Sequence, residues 1–458
     1  MISHSTARCA LAGLTRGACA VVMVAVAACS TTEFLQVSDA DIINPADVQS
    51  APGANAVRLG ALARFNSATS GEESLFALGG LFADEWVNGD SFIERQQIDN
   101  RVITIQNGFL TTANRVLHRS RLAATQAIQL LRQFNPTGPT ADVAEMYFVQ
   151  AYVENLMAEN YCSGIVFSTV VDGVEQYGTQ STTSDAYNRA LAHADSALAL
   201  ITGSSTADVK IRNALTVTKG RILLNLNKPT EAAAAVAAVP TSFRYDQLHA
   251  ITTTSNVYWN FNNLNRRYSV SASEGTNGLN FATAADPRLP VCLGGDAACV
   301  AIGVTQSRRD DNTSAPLHVQ RVWPARESPV TVVGGIEARM IEAESQLRAG
   351  NAAAALVILN TARGTVTALT PLADAGTAAG RIDQLFRERA FWMFGTGHRV
   401  GDLRRLIRQH GRAPESVFPT GAWHKGGNYG TDVTIPVPQA EENNPNVPIG
   451  KTCIDRVA

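Results

Sequence analysis

Apolar residues recur at three- and four-residue spacings through most of the chain, a period that predicts helices. One runs over 54–68 with Val57, Leu59, Leu62 and Phe65, and a second over 73–87 with Leu75, Leu78, Leu81 and Phe82. A long one spans 108–134 (Leu117, Leu122, Ile128, Leu131), and a fourth spans 140–161 (Tyr147, Ala151, Asn155, Ala158). Ser184 reads as the N-cap of a helix running to Ile201, its oxygen accepting an otherwise unpaired amide. The stretch WVNGDSFIER at 86–95 breaks the period and reads as an aromatic and polar loop.

A local unit then appears twice. Helix 209–225, a turn at Asn227–Lys228 and an alanine-rich helix from Pro229 to Val239 form the first copy. Helix 335–349, a turn at Gly350–Asn351 and an alanine-rich helix 352–363 form the second. Leu224 with Asn227 parallels Leu347 with Gly350, and small alanines let two helices approach closely. The unit is similar to a tetratricopeptide repeat. Between the copies, residues 240–330 lose helical period and are rich in Asn, Ser, Thr and Gly. A segment of that length without regular structure inside a compact domain points to function, and its aromatics argue against disorder.

Of 458 residues, 45% are hydrophobic and the formal net charge is −2, so the chain can bury a large core and has no bulk charge to hold nucleic acid. Its first 28 residues read as a targeting segment. Arg8 and Arg16 precede a short apolar run that ends Val26-Ala27-Ala28-Cys29. This is the pattern of a lipobox, in which Cys29 becomes the lipidated first residue; the alternative is a plain secretory signal cut at the same place. Several acyl chains on Cys29 would anchor the protein stably, whereas one binds only marginally. With Cys9 and Cys19 removed and Cys29 lipidated, four of the seven cysteines remain for an oxidising compartment. The Gly-Gly turn between Cys292 and Cys299 predicts a local bridge, which leaves Cys162 and Cys453 as the remaining pair.

Near the C-terminus, FRERAFWMFGTGHRVGDLRRL (386–406) reads as a helix, a glycine break at 395–397, and a second helix with Asp402 early and arginines late, which suits the helix dipole. Glu388, Arg389, Arg399, Asp402 and Arg405 form either an acid/base pair or a structural ion-pair network. The planar, non-titrating guanidinium favours the network. Trp392 lies mid-helix and is expected in the core, and His398 is expected to pack or cap. This stretch, with Glu388, Arg389, Gly397, Arg399, Asp402, Leu403 and Arg405, resembles the C-terminal region of the SusD/RagB family of outer-membrane nutrient-binding lipoproteins. So does the tail TIPVPQAEENNPNV (434–447), through Pro436, Pro438, Glu441, Asn444, Pro445 and Asn446. Phe34-Leu35 with Asn44-Pro45, and Asp286-Pro287-Arg288, also match. Gly401 departs from the family, standing where an aromatic or charged residue is common.

The resemblance implies a mostly α fold, a tetratricopeptide-like helical scaffold carrying loop-rich excursions, in one domain over 29–458. It implies a lipid-anchored protein on the outer-membrane surface. Such a protein binds an oligosaccharide or a peptide and delivers it to a SusC-like TonB-dependent transporter, without bond chemistry. Sugars want aromatic platforms beside amide, carboxylate and guanidinium groups. On residue type and loop context, Trp86, Asn88, Asp90, Tyr258, Trp259 and Asn277 are the candidate ligand residues, with Trp323 a further possibility. The alternative for each tryptophan is packing beneath its own loop. Rival readings are a peptide-binding RagB-like protein and a scaffold lipoprotein without a small ligand. No G-x-S-x-G, H-E-x-x-H or Walker glycine loop is present, and no histidine stands at zinc spacing from the cysteine pairs, so neither an enzyme, a cofactor nor a metal is expected.

Overall fold

The computed structural model describes residues 48–458, apart from 172 and 312–314. The chain divides into two units, Met1–Gln49 and Ser50–Ala458. Cys29 and the leader motifs lie outside the described residues. The described helices and strands all belong to the second unit.

Helices α1 (Ala51–Ser70), α2 (Leu75–Phe82), α3 (Ile93–Asp99), α4 (Gly108–Phe134), α5 (Thr140–Asn160), α6 (Thr183–Leu200), α7 (Thr206–Asn225) and α8 (Pro229–Val236) come first. After the excursion come α9 (Gly335–Arg348), α10 (Ala352–Arg363), α11 (Ala378–Trp392) and α12 (Arg399–His410). Helices α4 to α10 stack on their neighbours in the order α4, α5, α6, α7, α8, α9, α10, with α1 on α4. Neighbours bury their facing sides against each other, as in a repeat solenoid, and α5 is buried all round from Phe148 to Asn160. The two repeat units turn at equivalent points: Asn227 has φ +62° and Gly350 φ +81°, both residue types that tolerate the left-handed region. Gly220 lets α8 close on α7, since a Cβ there would lie 2.5 Å from Val236 Cγ1.

Two expectations are corrected. Helix α6 is capped by Thr182, not Ser184: the Thr182 hydroxyl accepts from the Asp185 amide while Asp185 reaches back, a reciprocal capping box. The second helix stops at Phe82, and 86–95 is a loop only over 89–92. Trp86–Asn88 is a strand, β1, paired antiparallel with β3 (Tyr268–Val270), after which α3 begins at Ile93.

The excursion opens on β2 (Arg244–Gln247) and closes on β6 (Val330–Gly334), which pair antiparallel with each other. Between them lie a π-helix (Trp259–Leu264), β3, and the hairpin of β4 (Val291–Leu293) with β5 (His318–Gln320). Asn262 ties these together. Its Nδ2 donates to the carbonyls of Tyr268 (2.7 Å) and His318 (3.0 Å), and its Oδ1 accepts from the Gln320 amide (2.8 Å). Cys292 and Cys299 are joined, as are Cys162 and Cys453, the latter fastening the C-terminal tail beside the end of α5.

Glu388, Arg389, Arg399, Asp402 and Arg405 of α11 and α12 form buried ion pairs. Arg389 grips Asp402 bidentately (2.8 and 2.9 Å), and Arg405 reaches Asp402 (2.9 Å) and Glu344 of α9. Two members of the expected network look elsewhere. Glu388 holds Arg288 (2.6 Å) and Arg363 (2.7 Å), and Arg399 forks onto Asp84 (2.7 and 2.8 Å). Arg404 Nη1 donates to the carbonyls of Ala158, Glu159 and Tyr161, closing the C-terminal end of α5. Gly401 permits that approach, because a Cβ would meet Glu159 Cγ at 2.8 Å. His398 sits between Glu159 (Nδ1, 2.6 Å) and the Tyr152 hydroxyl (Nε2, 2.9 Å).

Burial raises the pKa of Glu344, but Arg405, His410 and Arg389 outweigh it and hold the carboxyl at about 2 against an ordinary 4.5. A depressed carboxyl stabilises the fold above its unfolded pKa, and the contribution fades as pH falls from 4.5 toward 2. Replacing Arg405 leaves Glu344 and Asp402 buried with too little positive charge, which costs about 3–5 kcal/mol. Urea denaturation of Arg405→Met is expected to show that loss near pH 7 and a smaller dependence on pH across the acid window. An unchanged midpoint would show that these pairs contribute no net stability.

Candidate functional site

The residues first expected to meet a ligand are mostly built into the interior. Trp86 is 0% exposed and stacks on Tyr258, also 0% exposed, at 5.2 Å; Tyr258 stacks in turn on Trp323 at 4.6 Å. The Tyr258 hydroxyl donates to the Gly395 carbonyl. Gly395, at φ +70°, lies so close to the column that a Cβ would meet Trp323 Cη2 at 2.7 Å. Asn88 and Asp90 are buried and shape the chain after β1. Asn88 Oδ1 accepts from the Asp90 amide (2.9 Å), and Asp90 accepts from the Phe92 amide (3.0 Å) and pairs with Arg95 (2.7 Å). Asn277 spends its amide on the Phe418 carbonyl (2.8 Å) and the Thr420 N–H (3.1 Å). These five side chains therefore hold structure rather than offering free faces. Trp259 differs: it is half-buried, with the Arg326 guanidinium 5.3 Å over its ring.

A cleft lies where the excursion's two ends meet the solenoid. A pocket of about 570 Å³ is bounded by β2, β6, the start of α9 and the end of α11. A second pocket of about 320 Å³ continues toward Trp323, Phe391 and Phe394, and the two share Arg244, Thr331, Trp392 and Thr396. Trp392 is only half-buried, which corrects its expected place in the core. It is the last residue of α11, where the chain leaves the helix toward Gly395, and its ring borders both pockets. Among the described residues its indole N–H has no acceptor. Arg288 lies 5.0 Å over the ring and is itself held by Asp286 and Glu388, so the ring is braced from one side.

The remaining polar lining is mixed. Arg244, with a side chain 58% exposed, is paired at 3.2 Å with Asp246, which also accepts from the Thr331 hydroxyl (2.7 Å). Arg221 and Glu337 form a buried bidentate pair at one wall. One indole face, a few hydroxyls and one solvent-reaching guanidinium suit a neutral, hydroxyl-bearing ligand or a short peptide better than an anion. No spacing in the sequence marks Arg244 or Thr331. The signal for Trp392 was its position just before the glycine break.

No protein-family model matches the sequence, and no curated protein matches it. Solved structures do. Surface glycan-binding protein A from Bacteroides uniformis superposes with TM-score 0.62 at 12% identity, covering 87% of this chain and 98% of that one. A SusD superfamily protein from Parabacteroides distasonis gives 0.61 at 13% identity, with coverage of 87% and 98%. One from Bacteroides fragilis gives 0.60 at 16%, with 88% and 99%. The chain has the SusD-like fold. In SusD-like terms, the solenoid is the scaffold and residues 240–330 are the excursion packed onto it. The C-terminal residues that carry the resemblance are the buried pairs and helix-end contacts of α11 and α12. The tail does the same: Asn444 and Asn446 donate to the carbonyls of Gly178 and Tyr177 at 3.0 Å each.

Burial separates the two tryptophans of the expected site. Trp86→Ala removes a fully packed ring and is expected to lower stability by about 3–5 kcal/mol, while Trp259→Ala costs clearly less. Equal losses in thermal or urea unfolding would mean that the Trp86–Tyr258–Trp323 column is not a packed unit.

Proposed function

We propose that this chain is a lipid-anchored nutrient-binding protein of the outer-membrane surface. It captures an oligosaccharide in the Trp392 cleft and passes it to a SusC-like TonB-dependent transporter. The supporting observation is the SusD-like architecture through nearly all of the described chain. Similar structures include one described as a surface glycan-binding protein and another, from Bacteroides vulgatus (TM-score 0.55, 12% identity, covering 77% of this chain and 83% of that one), as a SusD-like carbohydrate binding protein. The cleft supports the reading with an aromatic face and neutral donors, the pairing that sugar rings recognise. The mechanism is binding and delivery, with no bond made or broken. The lipobox at Cys29 supports the anchor. Among the described residues no helix is long and apolar enough to cross a membrane.

Calorimetry of the purified protein against polysaccharides, their oligomers and mixed peptides tests the ligand. One glycan class is expected to bind, and Trp392→Ala to weaken it tenfold or more, about 1.4 kcal/mol, with an unchanged far-UV spectrum. Arg244→Ala is expected to weaken it less. Peptide binding alone would favour the RagB-like reading; glycan binding indifferent to Trp392 would move the site elsewhere.

The anchor has its own test. Cys29→Ala is expected to release the protein from the outer-membrane fraction after a salt wash, whereas retention would mean that lipid is not what holds it.

A further inference from the structure

A second polar cluster lies apart from the cleft, where the end of α3, the loop after β3 and the C-terminal 421–430 turn come together. Asp99, Glu274 and His424 each present a ligand atom there, all within 4.8 Å of one another. Asp99 is 0% exposed and Glu274 is 3% exposed. The Trp423 indole N–H donates to Asp99 Oδ2 (2.7 Å), while Asp99 Oδ1 makes no hydrogen bond of normal geometry among the described residues. Glu274 accepts from the Tyr429 hydroxyl through Oε2.

The histidine is held in one tautomer. His424 Nε2 lies 2.9 Å from the Asn88 carbonyl, an acceptor only, so Nε2 carries the proton. Its Nδ1 lies 3.6 Å from Asp99 Oδ2. A backbone carbonyl on the far nitrogen is the way metal-ligating histidines are commonly oriented.

Two cations stand near the cluster. Lys425 is 3.0 Å from Asp311 and also donates to the Asp90 carbonyl. Arg309 adds partial compensation, its Nη1 reaching the Asn88 carbonyl at 3.5 Å. Burial raises Asp99 to about 7, offset in part by the Trp423 N–H, Lys425 and the Asn88 amide. Burial and the Asp99 charge raise Glu274 well above its usual range.

We propose that Asp99, Glu274 and His424 bind a divalent cation of the Mn²⁺ to Zn²⁺ range, which fastens the 421–430 turn to the β1–α3 corner. Two carboxylate oxygens and one imidazole nitrogen fit such ions, whereas Ca²⁺ prefers oxygen throughout. Bonds of about 2.0–2.2 Å set ligand atoms roughly 3–3.5 Å apart, so the three atoms, now within 4.8 Å of one another, draw together when the ion binds.

The untagged full-length protein, stripped with EDTA, is titrated with Mn²⁺, Zn²⁺ and Ca²⁺ by calorimetry, and the Mn²⁺ form is examined for ¹⁴N coupling in its electron spin echo. One equivalent of Mn²⁺ or Zn²⁺ is expected, with nitrogen coupling. Asp99→Asn and His424→Ala should each weaken binding by at least the roughly 10- to 100-fold typical of losing an outer-shell partner. His424→Ala should also abolish the nitrogen signal, and it alters only a surface turn if Asp99→Asn fails to fold. Absence of stoichiometric binding, binding unchanged in both variants, or a preference for Ca²⁺ that ignores His424 would each overturn the site.

Discussion

Asp402 is the constraint on which the C-terminal half of the structure depends. It is buried on α12 between Arg389 of α11 and Arg405 of its own helix, and Arg405 carries the charge on to Glu344 of α9. Buried pairs are poor sources of net stability against an apolar replacement, but each becomes very costly once a partner leaves. Their effect is therefore on register. Helix α12 has one rotation in which Asp402 meets both arginines, Arg399 reaches Asp84, and Arg404 closes the end of α5. Gly401 belongs to the same constraint, because any Cβ there would push α12 off Glu159.

That fixed register positions the cleft. Trp392 ends α11, and Gly395 presses against the aromatic column. The same turn thus sets the height of the Trp392 ring and packs the rings of Trp86, Tyr258 and Trp323. Arg288 extends the link, binding Glu388 of α11 while lying over Trp392. A guanidinium held by two carboxylates cannot swing away, so the indole keeps its orientation without a ligand. Pre-ordering of this kind lowers the entropy cost of binding.

The helices were legible where their signals are local. Helices α4 and α10 begin and end where periodicity places them, because Asn107 caps one and a glycine follows the other. The cap at Thr182, expected instead at Ser184, also had a local signal, since only Thr182 in the run 181–184 has an aspartate three residues on. Strand β1 was not, because its partner lies some 180 residues away in sequence and no local pattern announces a pairing. The site misled for a physical reason. Tryptophans amid asparagines look like exposed binding loops, yet irregular buried backbone needs side-chain partners, and short amides supply them. Asn88, Asn256, Asn262 and Asn277 all turn inward to backbone groups. Asparagine richness here measures how irregular the excursion is, and the aromatics between are its core.

The excursion also enters and leaves the solenoid at one place. Strand β2 follows α8, and β6 runs straight into α9 through Gly335, where a Cβ would collide with the Pro240 carbonyl. Pairing β2 with β6 closes the insertion on itself, so α8 still packs on α9 as though nothing stood between them. The cleft occupies that closure. One side is solenoid: the buried Arg221–Glu337 pair and Trp392. The other is excursion: Arg244, Thr331 and the 322–329 segment. Changes on the excursion side leave the helix stack undisturbed, because the strand pair isolates one from the other. The cleft thus sets a braced aromatic wall on the solenoid opposite a polar wall carried by β2 and β6, and the more conspicuous tryptophans lie in the packing behind it.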